Sequence, residues 1–161
     1  MPEGIDIAIA TNNDVDAIHA LEVAAFPSPW KREFFASELY SSGRFNLVAR
    51  RSLKAADGGD GSPPPRRIVG YLFAMWFFDE MHVNKIAVDD AERRKGIADA
   101  LMDRCFAFAR QQHIRMISLE VRQSNTGAQE FYRHLHFEAT YVRPRYYPDG
   151  ESAVVMTRTM G

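Results

Sequence analysis

The sequence predicts an α/β or α+β fold, a central sheet of about seven strands with about four helices returning to it. Three observations predict it. Ile5, Ile7 and Ile9 alternate with Asp6 and Ala8, the two-residue period of a half-buried strand. Leu101, Met102, Cys105, Phe106 and Ala109 recur at three- and four-residue spacing, the stripe of a helix laid on a core. Strand-like and helix-like segments then alternate along the chain without an internal repeat.

The elements follow in order. Residues 5–10 form the first strand. Thr11 or Asn13 caps a helix with Val15, Ile18, Leu21 and Ala25 on one face, and "FPSPW", Phe26 to Trp30, breaks it. Ser28 reads as the cap of a second helix with Pro29 at its first position and Phe34, Phe35 and Leu39 on its apolar side. "FNLVAR", Phe45 to Arg50, is a strand. "AADGGDGSPPPRR", Ala55 to Arg67, has no apolar period and reads as a flexible loop at about 53–67 rather than a domain boundary. Ile68 to Phe78 is a central strand. Asp79 and Glu80 sit at a hairpin, and "EMHVNKIAV" continues as the next strand. A helix starts at or near Gly96. "IRMISLEV" is a strand, Asn125 to Leu135 a helix, and "FEATYVR" and "SAVVMTRTM" are two closing strands.

Composition sets bounds. A chain of 161 residues fits one domain, 1–161, with a real hydrophobic core, and 46% apolar residues argue against disorder. A net charge of -1 argues against a globally basic nucleic-acid binder, though it leaves room for a local basic patch, and no direct nucleic-acid partner is expected. The longest apolar stretch, Ile68 to Phe78, is too short to span a bilayer as a helix, and the N-terminus lacks a signal-peptide pattern. A cytoplasmic protein with no membrane partner, monomeric or weakly dimeric, is the expectation. The single cysteine, Cys105, falls on a core stripe. His113 follows it by eight residues, roughly 12 Å along a helix, too far to pair with it. The histidines show no ligand spacing, and no metal site is expected.

Three positions could carry chemistry. In "RRKGIADALM", Arg93, Arg94 and Lys95 run into Gly96, then Ile97, Ala98 and Asp99, where a helix begins. A helix start has unpaired N–H groups and partial positive charge, and a glycine lets an anion approach them. One glycine is neither a dinucleotide fingerprint nor a P-loop, and the same pattern also serves an ordinary turn. Glu120 lies near a strand end between Leu119 and Val121. It is either a partly buried general base or a strand-end carboxylate paired with Arg122 or Arg115. Tyr132 sits with Phe131 and Leu135. It is either a core tyrosine or a proton donor.

These stretches together carry a resemblance. "NKIAVDDAERRKGIADALM" resembles the acyl-coenzyme A motif of the GNAT superfamily of N-acetyltransferases, whose Arg/Gln-x-x-Gly-x-Gly/Ala pattern is matched by Arg93, Gly96 and Ala98. "LEVRQSNTGAQEFYRHLHF" is similar to the next segment in the RimI-type branch, which acetylates the N-terminal alanine of a ribosomal protein. "AFPSPW" and "RPRYYPDGESAVVM" are similar to that branch's remaining landmarks, so the resemblance runs from Ile5 to Met160. It implies a mixed, mostly antiparallel sheet and acetyl-coenzyme A as acetyl donor. It implies that backbone groups of Ile86, Ala87 and Val88 hold the pantetheine arm, and that the turn Arg94 to Asp99 holds the pyrophosphate. Asn125 would contact the arm near its reacting end. Glu120 would be the general base and Tyr132 the acid that protonates the departing thiolate. Tyr146 and Tyr147 would line the acceptor slot, facing the loop that carries Trp30.

Two features depart from the family pattern. His136 stands where a glycine usually precedes the sixth strand, and the loop Ala55 to Arg67 is long. The implied acceptor is the α-amine of a protein N-terminus, a ribosomal protein first. Its pKa of roughly 7.7–8.0, against about 10.4 for lysine, suits a carboxylate base near neutrality. A lysine or small-molecule amine on the same fold, or a non-catalytic acyl-coenzyme A binding module, are the alternatives.

Overall fold

The structure, a computed structural model, describes residues 2–53 and 66–161. Its strands are β1 (Ile5–Ile9), β2 (Arg44–Ser52), β3 (Arg66–Phe77), β4 (Glu80–Val88), β5 (Met116–Arg122), β6 (Glu138–Arg143) and β7 (Ala153–Thr159). Its helices are α1 (Val15–Ala25), α2 (Arg32–Tyr40), α3 (Ile97–Gln111) and α4 (Thr126–His134). The strands form one sheet in the order β1-β2-β3-β4-β5-β7-β6. β4 pairs with β5 in parallel, while β1–β2, β5–β7 and β6–β7 are antiparallel. This is the mixed, mostly antiparallel sheet with four helices that the sequence predicts. Among the described residues no helix is long and apolar enough to cross a membrane.

The chain forms two compact units, Met1–Phe73 with Lys85–Cys105, and Ala74–Asn84 with Phe106–Gly161. In the first, a short 3-10 turn precedes α1. There the Thr11 N–H donates to the Asp14 carboxylate at 2.7 Å, so Thr11, not Asn13, opens the helical segment. The core joins Val15 and Ile18 of α1 to Phe35 of α2, Val48 of β2, and Tyr71 and Phe73 of β3. The Phe35 ring stands edge-on to those of Tyr71 and Phe73, at 5.8 and 5.2 Å, the preferred geometry for aromatic pairs.

Two expected boundaries are corrected here. α2 starts at Arg32, with Lys31 in the capping position, and not at Pro29. The residue before a proline avoids helical backbone, which applies to Phe26 and Ser28, and the Trp30 N–H is drawn to the side chain of Glu22 instead. Arg66 and Arg67 belong to β3 and not to the loop. Ion pairs fasten them, Arg66 to Asp6 at 3.1 Å and Arg67 to Asp89 at 3.2 Å. Residues 54–65 of that loop lie outside the described residues.

In the second unit, β5 and β7 pair from Met116↔Thr159 to Arg122↔Ala153, and a bulge between Ala139 and Tyr141 bends β6. Tyr132 and Phe137 pack edge-on at 5.6 Å, and Phe137 meets Phe106 at 6.2 Å. Asn125 caps α4, its Oδ1 accepting the Ala128 N–H at 3.0 Å. The buried Gln129 then donates to the carbonyls of Arg122 and Gln123, tying α4 to the end of β5.

Candidate functional site

The parallel pairing of β4 with β5 builds the second unit's polar centre. Register sets His82 beside Ser118, and Glu120 lies two residues further on, on the same face of β5. The Glu120 carboxylate is 10% exposed. Its Oε2 stands 2.5 Å from His82 Nε2, and its Oε1 stands 3.7 Å from Arg143 Nη1. His82 Nδ1 in turn lies 2.6 Å from Asn84 Oδ1. Burial opposes charge on His82, but the hydrogen bond and charge of Glu120, then Asn84, outweigh it, and the imidazole pKa is raised.

Glu120 therefore has neither of the arginine partners the sequence offered. Arg122 binds Asp149 at 2.8 Å and Glu151 at 2.9 Å, and Arg115 binds Asp79 at 2.7 Å. His82 is the partner of Glu120 that sequence reasoning missed. Only strand register brings it to Glu120, and no spacing in the sequence encodes that register.

Tyr132 is buried on α4. Tyr146 and Tyr147 lie in the β6–β7 connection, ring to ring at 5.0 Å. The Arg122 guanidinium covers the Tyr147 ring at 4.1 Å, and that of Arg143 lies 5.5 Å from the Tyr146 ring. Burial, then the neighbouring Tyr146, pushes the Tyr147 phenol up to about 12. Hydrogen bonds from Ser124 and Arg122 hold Glu151 down to about 2, so the connection is latched to the end of β5.

The first unit holds the turn before α3. Arg94 and Gly96 both have left-handed backbone, φ 63° and 81°. The first helical bond runs from the Ala100 N–H to the Gly96 carbonyl, so the N–H groups of Ile97, Ala98 and Asp99 have no intrahelical acceptor. Two of the three basic side chains are tied to carboxylates, Arg93 to Asp90 at 2.9 Å and Lys95 to the buried Glu92 at 3.4 Å. Ile86, Ala87 and Val88 end β4, beyond the last β4–β5 register pair, Val83↔Leu119. Trp30 packs its ring on Phe34 and Phe35, at 4.5 and 5.4 Å.

The profile of the Acetyltransferase (GNAT) family matches residues 15–137. The chain belongs to the GNAT family. A relative from Saccharolobus solfataricus, named N-alpha-acetyltransferase, is 30% identical over 94% of this chain and 90% of its own length. A ribosomal protein bS18-alanine N-acetyltransferase from Haemophilus ducreyi is 36% identical over 55% of this chain and 64% of its own. Among solved structures, the ribosomal-protein-S18-alanine N-acetyltransferase of Escherichia coli superposes with a TM-score of 0.81 at 26% identity, covering 98% of this chain and 94% of that one.

As a GNAT enzyme the chain is an acetyltransferase whose donor is acetyl-coenzyme A. The turn before α3 fits a phosphate-bearing donor. A Cβ added at Gly96 would meet only the Pro2 ring, at 3.6 Å, so the outer side of this backbone is open. The N–H groups of Ile97, Ala98 and Asp99, without intrahelical acceptors, are donors of the kind a phosphate takes.

Proposed function

We propose that this GNAT enzyme transfers the acetyl group of acetyl-coenzyme A to the α-amino group of a protein N-terminus, with an N-terminal alanine of a ribosomal protein as the first candidate acceptor. The names of the Haemophilus and Escherichia relatives support the acceptor. The family match over residues 15–137 runs through both units and supports one catalytic domain. The observation that carries the proposal is the His82–Glu120 pair at 2.5 Å.

Acetyl-coenzyme A supplies a thioester carbonyl and a thiolate leaving group. The chain does the rest. Backbone N–H groups at the start of α3, in the Arg94 to Asp99 turn, bind the pyrophosphate. The edge of Ile86, Ala87 and Val88 pairs with the pantetheine arm, and Asn125 contacts the arm near its reacting end. Glu120 takes the proton from the incoming ammonium, with His82 Nε2 against its Oε2. An α-amine of pKa roughly 7.7–8.0 gives up its proton near neutrality more easily than a lysine at about 10.4. The Tyr132 hydroxyl gives its proton to the thiolate as the C–S bond breaks. Tyr146, Tyr147 and Trp30 line the acceptor.

A thiol-release assay tests this with peptides whose N-terminus is free or blocked, each with and without lysine. Blocking the N-terminus abolishes turnover. Turnover that survives blocking points instead to lysine, and acetyl-coenzyme A binding without turnover of any peptide points to a sensor. Glu120→Gln and Tyr132→Phe lower kcat by about 10²-fold or more with acetyl-coenzyme A affinity unchanged. Equal losses of affinity would remove these two residues from the chemical step.

A further inference from the structure

Glu22 is a carboxylate with no exposure, on the same face of α1 as Val15 and Ile18. Its Oε1 accepts the Tyr71 hydroxyl. Its Oε2 accepts the Trp30 N–H at 2.9 Å and meets the Lys85 ammonium at 3.1 Å. Its backbone carbonyl accepts the Phe26 N–H at 3.1 Å. Both ends of the Phe26–Trp30 loop are thus fastened to one residue. Lys85 reinforces both ends from the other side, its Nζ lying 3.8 Å from the centre of the Phe26 ring and 4.7 Å from that of Trp30.

A leucine at position 22 would fill the same core, and apolar replacements of buried ion pairs are often as stable. What a carboxylate adds is direction. Within the loop Pro27 and Pro29 have no N–H, so the chain has few groups with which to fasten itself. The N–H of Trp30 is one of them, and it is given to Glu22. Lys85 comes immediately before Ile86 in β4, so the clamp also ties the loop to the strand proposed to carry the donor's arm.

We propose that Glu22, through the hydrogen bond it accepts from the Trp30 N–H, is a positioning residue that holds the Phe26–Trp30 loop in the shape that recognises the acceptor peptide. This rests on the reading above that Trp30 lines the acceptor. The experiment uses Glu22→Leu and Glu22→Gln in a Trp76→Phe background, where Trp30 is the only tryptophan. Three quantities are read: acrylamide quenching of Trp30, kcat and KM for an acceptor peptide, and calorimetric affinity for acetyl-coenzyme A.

Glu22→Leu raises Trp30 quenching and raises peptide KM about tenfold, the size of one lost hydrogen bond, with kcat and acetyl-coenzyme A affinity near the parent values. Glu22→Gln, which keeps an oxygen for the Trp30 N–H, restores much of the KM. Unchanged quenching in a folded Glu22→Leu protein overturns the clamp. Raised quenching with unchanged KM leaves the clamp standing and removes Trp30 from the acceptor site, which overturns that part of the proposed function. If Glu22→Leu does not fold, the double variant Glu22→Gln with Lys85→Met carries the test. It removes both charges and keeps the Trp30 acceptor, so KM stays near the parent value, and a tenfold rise overturns the role given to that hydrogen bond.

Discussion

Between His82 and Glu120 there is room for one proton. With Asn84 Oδ1 taking the Nδ1 proton, the nitrogen that faces Glu120 would be a bare lone pair in a neutral ring, 2.5 Å from a carboxylate oxygen. A proton between them resolves the clash of lone pairs, which is why the imidazole pKa is raised although burial opposes it. The sign of the pH effect follows. A group raised in the folded state contributes its full stability below its unfolded value, about 6.5, and loses it as pH rises through the folded value. The pair therefore supports the fold fully below about pH 6.5 and stops doing so as the pH rises through the folded value of His82. By NMR, the His82 ring titrates with a midpoint above that of a free histidine. In Glu120→Gln, where burial acts without the carboxylate's charge, the midpoint drops below the wild-type value. A midpoint that ignores Glu120→Gln would show that the two groups do not share a proton.

At the scale of elements, Gly96 and His136, left-handed residues at the ends of helices, make opposite predictions. Gly96 at φ 81° opens α3. A side chain there is strained by roughly 1–2 kcal/mol and stands where the proposed phosphate would approach. Calorimetry on Gly96→Val should show loss of acetyl-coenzyme A binding in a protein that still folds. Near-normal affinity would move the phosphate cradle elsewhere. His136 at φ 68° closes α4, with the Phe137 N–H reaching back to the Tyr132 carbonyl at 3.0 Å, a bond typical of a helix C-terminus with a left-handed cap. The family's glycine fits this backbone without strain. His136→Gly should raise the melting temperature through a gain of about 1 kcal/mol, without changing kcat. Element order was legible from the residues because β1 alternates and α3 carries an apolar stripe from Leu101 to Ala109. The start of α2 was not. Ser28-Pro29 is a fair helix opening by local chemistry, and a carboxylate on the preceding helix overrules it by taking the Trp30 N–H. Likewise Glu120 was legible as a candidate base, but its true partners come from β4 and β6, which no local rule could select.

At the scale of the whole molecule, the family shows in four ordered motifs spread across the chain, while the two compact units do not. Each unit draws its segments from both halves of the sequence, so composition never shifts at a boundary. Stability in the first unit converges on Phe35, which has no exposure and touches Trp30, Phe34, Tyr71 and Phe73 through ring contacts. Urea unfolding of Phe35→Ala should show a loss of about 3–5 kcal/mol, the range for emptying a buried aromatic site. A loss below about 1 kcal/mol would mean that the neighbouring rings collapse into the space.

The sole cysteine also bears on how the reaction can be watched. Cys105 is sealed inside α3, and burial pushes its thiol up to about 12. Near neutral pH it offers almost no thiolate to an aromatic disulfide reagent. In the folded enzyme the colour formed during turnover therefore reports coenzyme A alone. A slow second phase equal to one sulfur per chain would mark the moment the protein itself comes apart, so one absorbance trace records both catalysis and unfolding.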